Sequence, residues 1–172
     1  MRDQVIVITG ASGGIGAARA ARVAGGGASP VLAARREREL EGVRAACGER
    51  AMAVVTDVRR RADVQRLLDR ALERHGHVDV WVNNAGRGIS RPVSELSEAD
   101  FDEMIDVNLR SAFHGMQVAL SHFKTRGRGH IINVSSMLGR VPYRCVSGSN
   151  LRMVSISSPK NSTRTGRSAS GE

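Results

Sequence analysis

The sequence is poor in the residues that build specialised scaffolds. Only Cys47 and Cys145 are cysteines, too few for a disulfide framework, and neither stands in a CxxC or Cys/His cluster. A reducing cytoplasm is the expected setting. No run of about 18 apolar residues occurs, so no membrane-spanning helix is expected. The start of the chain enters an apolar strand with no charged leader and cleavage site, which argues against secretion. Aromatic residues make up 3% of the chain, leaving little to stack on bases. Lysine occurs only at 124 and 160, so the net charge of +9 is almost all arginine. Those arginines are scattered, with acidic residues between them in most segments. Neither a nucleic-acid partner nor a membrane is therefore expected. His75, His77, His114, His122 and His130 lack a compact ligand spacing, and no metal site is expected.

A chain of 172 residues can bury one core and is too short for two comfortable domains. Apolar β-branched runs alternate with amphipathic segments. Gln4 to Thr9 reads as a strand buried on both faces, Gly14 to about Ala24 as a small-residue helix, and Val31 to Ala34 as a second strand. Glu37 to Cys47 is a helix closed by Gly48, Ala51 to Thr56 a third strand, and Ala62 to about Arg74 a helix with one apolar face. A fourth strand covers Val78 to Val82 and places Trp81 in the core. Ser97 and Asp100 then open a long helix that runs to about Lys124. Gly129 to Ser135 is the fifth strand. Five such units predict an α/β fold, a Rossmann-like doubly wound parallel sheet that is incomplete at its C-terminal side. Residues 1–142 form the expected dinucleotide-binding domain. Residues 143–172, rich in Ser, Arg, Thr, Asn and Gly, read as a divergent, disordered tail.

The turn from Thr9 to Gly16 carries the first chemical signal. It lies after a buried strand and before a helix, where glycines let the backbone approach a pyrophosphate and aim a helix N-terminus at it. Gly10, Gly14 and Gly16 follow a G-x-x-x-G-x-G spacing. This turn, Asp57-Val58 after the third strand and Asn83-Asn84-Ala85-Gly86 after the fourth together resemble the short-chain dehydrogenase/reductase family. Asn108 and Ile132-Asn133-Val134-Ser135-Ser136 extend the resemblance over roughly residues 4 to 142. It implies that Gly10, Ser12, Gly13, Gly14, Ile15 and Gly16 line the pyrophosphate and nicotinamide side. It also implies that Asp57, with Val58 beside it, accepts a hydrogen bond from the adenine amine. Asn84, Ala85 and Gly86 would pass under the adenine ribose and the nicotinamide half.

A carboxylate at the end of the second strand would select NAD(H) by its bond to the ribose 2′-hydroxyl. Ala34 stands there instead, followed by Arg35 and Arg36, whose guanidinium forks suit a 2′-phosphate. NADP(H) is expected over NAD(H). The resemblance implies a small-molecule carbonyl or alcohol substrate and a homo-oligomer built on a helix that this chain partly lacks. It gives Ser136 the role of holding the substrate oxygen and Asn108 that of anchoring a water in the proton relay.

The tyrosine and lysine of that relay should follow Ser136 by about a dozen and sixteen residues. That window holds Gly148, Ser149, Asn150, Arg152 and Met153. Tyr143 stands too near Ser136, with Ser147 rather than lysine four residues on. Three readings stay open: an impaired NADP(H)-dependent oxidoreductase, a cofactor-binding module without catalysis, and a non-functional fragment with a shifted frame or truncated gene behind it. A bare fifth strand and a bare apolar face on the long helix are expected in each case.

Overall fold

The structure is a computed structural model and describes residues 2–136 and 155–157. β1 (Val5–Thr9), β2 (Ser29–Ala34), β3 (Met52–Val55), β4 (Val80–Asn83) and β5 (His130–Asn133) are parallel, and a short β6 (Ser155–Ser157) completes the order β3-β2-β1-β4-β5-β6. The crossovers are α1 (Gly14–Gly25), α2 (Glu37–Cys47), α3 (Arg61–His75), α4 (Glu98–Ile105) and α5 (Ser111–Arg126). This is the doubly wound sheet that the alternation predicts.

Strand pleating divides the core into two layers. Val5 and Val7 of β1 join Val31, Val54, Trp81, Val64, Leu67, Val118 and Phe123 on the face covered by α3 and α5. Ile6 and Ile8 join Leu32, Val82, Ala20, Val23 and Leu40 on the face covered by α1 and α2. Both faces of β1 are therefore buried, which is why its sequence is apolar without alternation. Helix ends follow local chemistry. Ser97 and Asp100 close a reciprocal capping box at the start of α4, with both backbone bonds at 3.1 Å. Left-handed Gly76 and Gly127 end α3 and α5.

Two features depart from the expected pattern. The helix expected from Ser97 to Lys124 is interrupted by a π-helical turn at Asp106–Arg110. The inserted geometry shifts the phase of the apolar face, and hydrophobic periodicity alone does not reveal it. Val118 and Phe123 join the core layer on the sheet and Met104 and Val107 are buried, while Phe101, Leu109, Phe113 and Leu120 are exposed. The second departure is β6. It pairs antiparallel with β5, from His130 opposite Ser157 to Ile132 opposite Ser155, so three residues cover the edge that was expected to be bare. The rest of the predicted disordered tail lies outside the described residues, as do Tyr143, Arg144 and Ser147. No helix among the described residues is long and apolar enough to cross a membrane.

At the end of the sheet where β1 and β4 begin, Asp79 ties three elements together. Its carboxylate accepts the Val5 N–H at 2.9 Å and pairs with Arg126 of α5 and His77, each at 3.1 Å. Burial pushes this carboxyl up, but the Val5 N–H, Arg126 and His77 outweigh it and hold it below the ordinary value. Beside it, Nε2 of His122 accepts the Val78 N–H at 3.2 Å, which requires that nitrogen to be unprotonated. Burial and the charge of Arg126 lower His122, and burial, Arg74 and His77 lower His75. The unfolded chain therefore takes up protons at these sites first, and stability falls as pH drops below about 6.5. Urea denaturation should show a lower midpoint at pH 5.5 than at pH 7.5. His122→Gln, whose amide oxygen can accept the same N–H without titrating, should shrink that difference. An unchanged pH dependence would refute the assignment.

Candidate functional site

The ends of β1 and β4 lie side by side, but their chains leave toward opposite faces of the sheet. A crevice opens at such a switch point. Here it has two lobes. The first, about 530 Å³, is lined among others by Ile15, Arg87, Ser90, Asn108 and Ser136. The second, about 340 Å³, is lined among others by Ser12, Arg35, Arg36, Asp57 and Val58. Gly10, Gly13, Ala85 and Gly86 line both lobes.

These four residues come together because the β1 and β4 turns interlock. Thr9 is buried, and its hydroxyl accepts the N–H groups of Asn84 and Ala85, both at 3.0 Å, while donating to the Val82 carbonyl at 3.2 Å. The Asn84 side-chain amide donates back to the carbonyls of Thr9 at 2.9 Å and Gly10 at 3.4 Å. Side chains at the glycines would break this packing. A Cβ on Gly10, whose φ is +68°, would lie 2.7 Å from the Ala85 Cα, and one on Gly16 would lie 2.3 Å from the Gly10 carbonyl oxygen. Gly14 also has positive φ, at +55°, but faces open space. No side chain caps the start of α1 and no acidic residue stands in its first turn, so its first N–H groups are not claimed by protein carboxylates. The backbone here fits a phosphate-bearing ligand. Asn84 acts as a strap between the turns.

In the second lobe Arg36 bridges to the glycine turn. Its guanidinium donates to the Ser12 hydroxyl at 3.0 and 3.2 Å and to the Ser12 carbonyl at 3.3 Å, and pairs with Glu39 at 3.2 Å. Arg35 lines the same lobe and has no side-chain hydrogen bond among the described residues. Asp57 also lines the lobe, but Arg59 grips its carboxylate. The shortest of these contacts, from a terminal guanidinium nitrogen to Oδ2, is 2.6 Å. This grip, together with the charge of Arg35, holds the Asp57 carboxyl below its ordinary value against the effect of burial. Sequence reading missed Arg59, because nothing distinguishes it from Arg60 and Arg61 beside it.

In the first lobe Asn108 sits within the π-helical turn, and its side chain is fully committed. Its amide nitrogen donates to the Arg87 carbonyl and its amide oxygen accepts the Arg87 N–H, both at 2.8 Å. It therefore clamps the segment after Gly86, and any water it holds would rest on its backbone, which the π-turn makes irregular. Ser136 lines this lobe with Val134 and Ser135, and the buried Ser135 hydroxyl has no hydrogen-bond partner among the described residues. Behind the lobe a polar chain fixes the register of β4 and β5. Trp81 donates to Asn83 at 2.8 Å, and Asn83 donates to Asn133 at 2.8 Å. Gly115 makes room for it, since a Cβ there would lie 2.0 Å from the Asn83 amide oxygen. All the expected cleft residues thus border one crevice or build its turn.

Fold and cleft together define a doubly wound α/β domain with a glycine turn and a two-lobed crevice at its switch point. The model of the short chain dehydrogenase family matches residues 4–148, and the chain belongs to that family. It is 42% identical over 147 residues to an uncharacterized oxidoreductase of Listeria innocua, covering 83% of this chain and 59% of that protein. A Staphylococcus epidermidis uncharacterized oxidoreductase is 34% identical over 142 residues, covering 83% and 62%. Among solved structures, the 3-ketoacyl-(acyl-carrier-protein) reductase of Brucella melitensis, complexed with NADH, superposes with a TM-score of 0.83. The identity is 33%, over 87% of this chain and 64% of that one. A Bacillus anthracis short chain dehydrogenase gives 0.82 at 28% identity, covering 86% and 63%. The chain spans about three fifths of the length of these curated relatives.

Thr9→Val should leave two backbone donors without their acceptor and destabilise the domain by about 2 kcal/mol or more. Thermal unfolding together with amide exchange at Asn84 and Ala85 would check this. An unchanged exchange rate would show that the hydroxyl does not pin the turns.

Proposed function

We propose that the cleft binds NADP(H) in preference to NAD(H) and belongs to an oxidoreductase of carbonyl and alcohol groups whose proton relay is impaired. The observation that carries this reading is the shared wall of Gly10, Gly13, Ala85 and Gly86 between two lobes of different chemistry. A dinucleotide has that layout, with a pyrophosphate between two nucleoside halves. Arg35, which lines the second lobe without a side-chain hydrogen bond among the described residues, would meet a 2′-phosphate. Arg36 holds Ser12 and shapes the same corner. Ala34 supplies no carboxylate to repel that phosphate.

A bound nicotinamide would supply or accept the hydride. In the first lobe the Ser136 hydroxyl would orient the substrate oxygen, and Asn108 would hold the segment at Arg87 that forms the wall. Proton delivery is the weak step. Residues 148–153 contain neither tyrosine nor lysine, and loss of a positioned proton donor costs about 10²–10⁴-fold in rate. A cofactor-binding module without turnover is the second reading, favoured by that same window.

Fluorescence titration should show NADPH binding at least about tenfold tighter than NADH, and Arg35→Ala should remove most of the difference. Absence of binding by either cofactor overturns the proposal. In single-turnover reduction of simple carbonyl compounds, Ser136→Ala should abolish residual activity while leaving the NADPH dissociation constant within about twofold. A wild type with no turnover would leave the binding module as the function.

A further inference from the structure

Asp57 lines the second lobe, whereas Arg59, which grips it, is not among the residues that do. The grip comes from behind. Oδ1 accepts the Arg59 backbone N–H at 3.1 Å and its Nε at 3.0 Å, while Oδ2 accepts Nε at 3.1 Å and the terminal nitrogen at 2.6 Å. The surrounding backbone is also fixed. The Asp57 N–H donates to Asp63 at 3.1 Å, and the Asp57 carbonyl accepts the Arg60 N–H at 2.9 Å. The carboxylates of Glu103 and Asp106 also favour the positive charge of Arg59. The remaining freedom at Asp57 is rotation of its carboxylate, and a guanidinium fork removes it.

We infer that Arg59 is a positioning residue for base recognition, fixing the Asp57 carboxylate so that it accepts a hydrogen bond from the exocyclic amine of an adenine in the second lobe. The inference rests on the dinucleotide reading above and adds the residue that sets which base is taken. The lobe has buried apolar walls at Val58 and Val107, suited to the faces of a flat ring. An ionised carboxylate can only accept hydrogen bonds. An amine at the ring edge satisfies it, whereas the keto oxygen that hypoxanthine carries at the same position faces it lone pair to lone pair. Removing Arg59 leaves the acceptor in place but lets it turn, so the amine loses its advantage while ring burial and phosphate contacts remain.

The test titrates the full chain with NADPH and with its hypoxanthine analogue, following nicotinamide fluorescence. Wild type should bind NADPH about tenfold tighter than the analogue. Arg59→Ala should weaken NADPH about fivefold and change the analogue less than about twofold, and Arg59→Lys should fall between, since an ammonium restores charge without the fork. Equal weakening of both ligands would assign Arg59 a role in overall charge or folding and overturn the inference. Normal discrimination in Arg59→Ala would overturn it as well. If the alanine variant does not fold, the lysine variant decides alone: wild-type discrimination there refutes the inference, and reduced discrimination supports it. A wild type that binds neither ligand removes the dinucleotide reading itself, which distinguishes that failure from one confined to Arg59.

Discussion

The cleft depends on one close approach, that of the backbone after β1 to the backbone after β4. The Thr9 hydroxyl holds it by accepting two N–H groups from the opposing turn, and the Asn84 amide holds it from the other side. Glycines at 10 and 16 are the steric condition for this contact, because a Cβ at either would strike backbone atoms that cannot move aside. A buried hydroxyl with all its partners contributes about 1 kcal/mol net, but leaving its partners orphaned costs more. The contact is therefore worth less as an attraction than as a constraint. It keeps Gly10, Gly13, Ala85 and Gly86 on one shared wall, and without that wall the two lobes would not meet.

The parts of the molecule legible in the sequence are those fixed by periodicity or by steric necessity. Strands buried on both faces are continuous apolar runs, as Val5 to Ile8 shows. Turns that need close approach must carry glycine, so Gly10 and Gly16 were visible before the geometry. The capping box at Ser97 was legible because its two partners are three residues apart. What escaped notice depends on geometry without a residue signature. The π-helical turn at Asp106–Arg110 leaves an ordinary helical composition. Arg59 is one arginine in a run of three, and only the fold shows that it alone reaches Asp57 among the described contacts. β6 falls partly within Leu151 to Ile156, a run that reads as a short strand or a helical turn and is too brief for periodicity to decide between them.

Asn108 and Asn84 shape the cleft through the backbone they hold rather than through free side-chain amides. Both stand at the cleft, yet both spend their side-chain amides on backbone groups of the protein. Their contribution to a ligand is the shape they impose on neighbouring backbone. In these two cases the side chain is a strut between backbone segments of the cleft. Ser12 is a partial case, since its hydroxyl already accepts from Arg36.

Binding and catalysis therefore make different demands on this chain. The two-lobed cleft is assembled from the ends of β1, β2, β3 and β4, with the turns and helix starts that follow them, all within residues 2–136. Its walls are held by contacts internal to that region, the Thr9 pin, the Arg36 bridge and the Arg59 grip. Ser136 stands at the border of that region and lines only the first lobe. A proton donor must lie within hydrogen-bond reach of the reacting oxygen, a demand separate from those that assemble the cleft. Under the proposed reading, the contacts that would hold a dinucleotide and the group that would deliver a proton are thus separable demands.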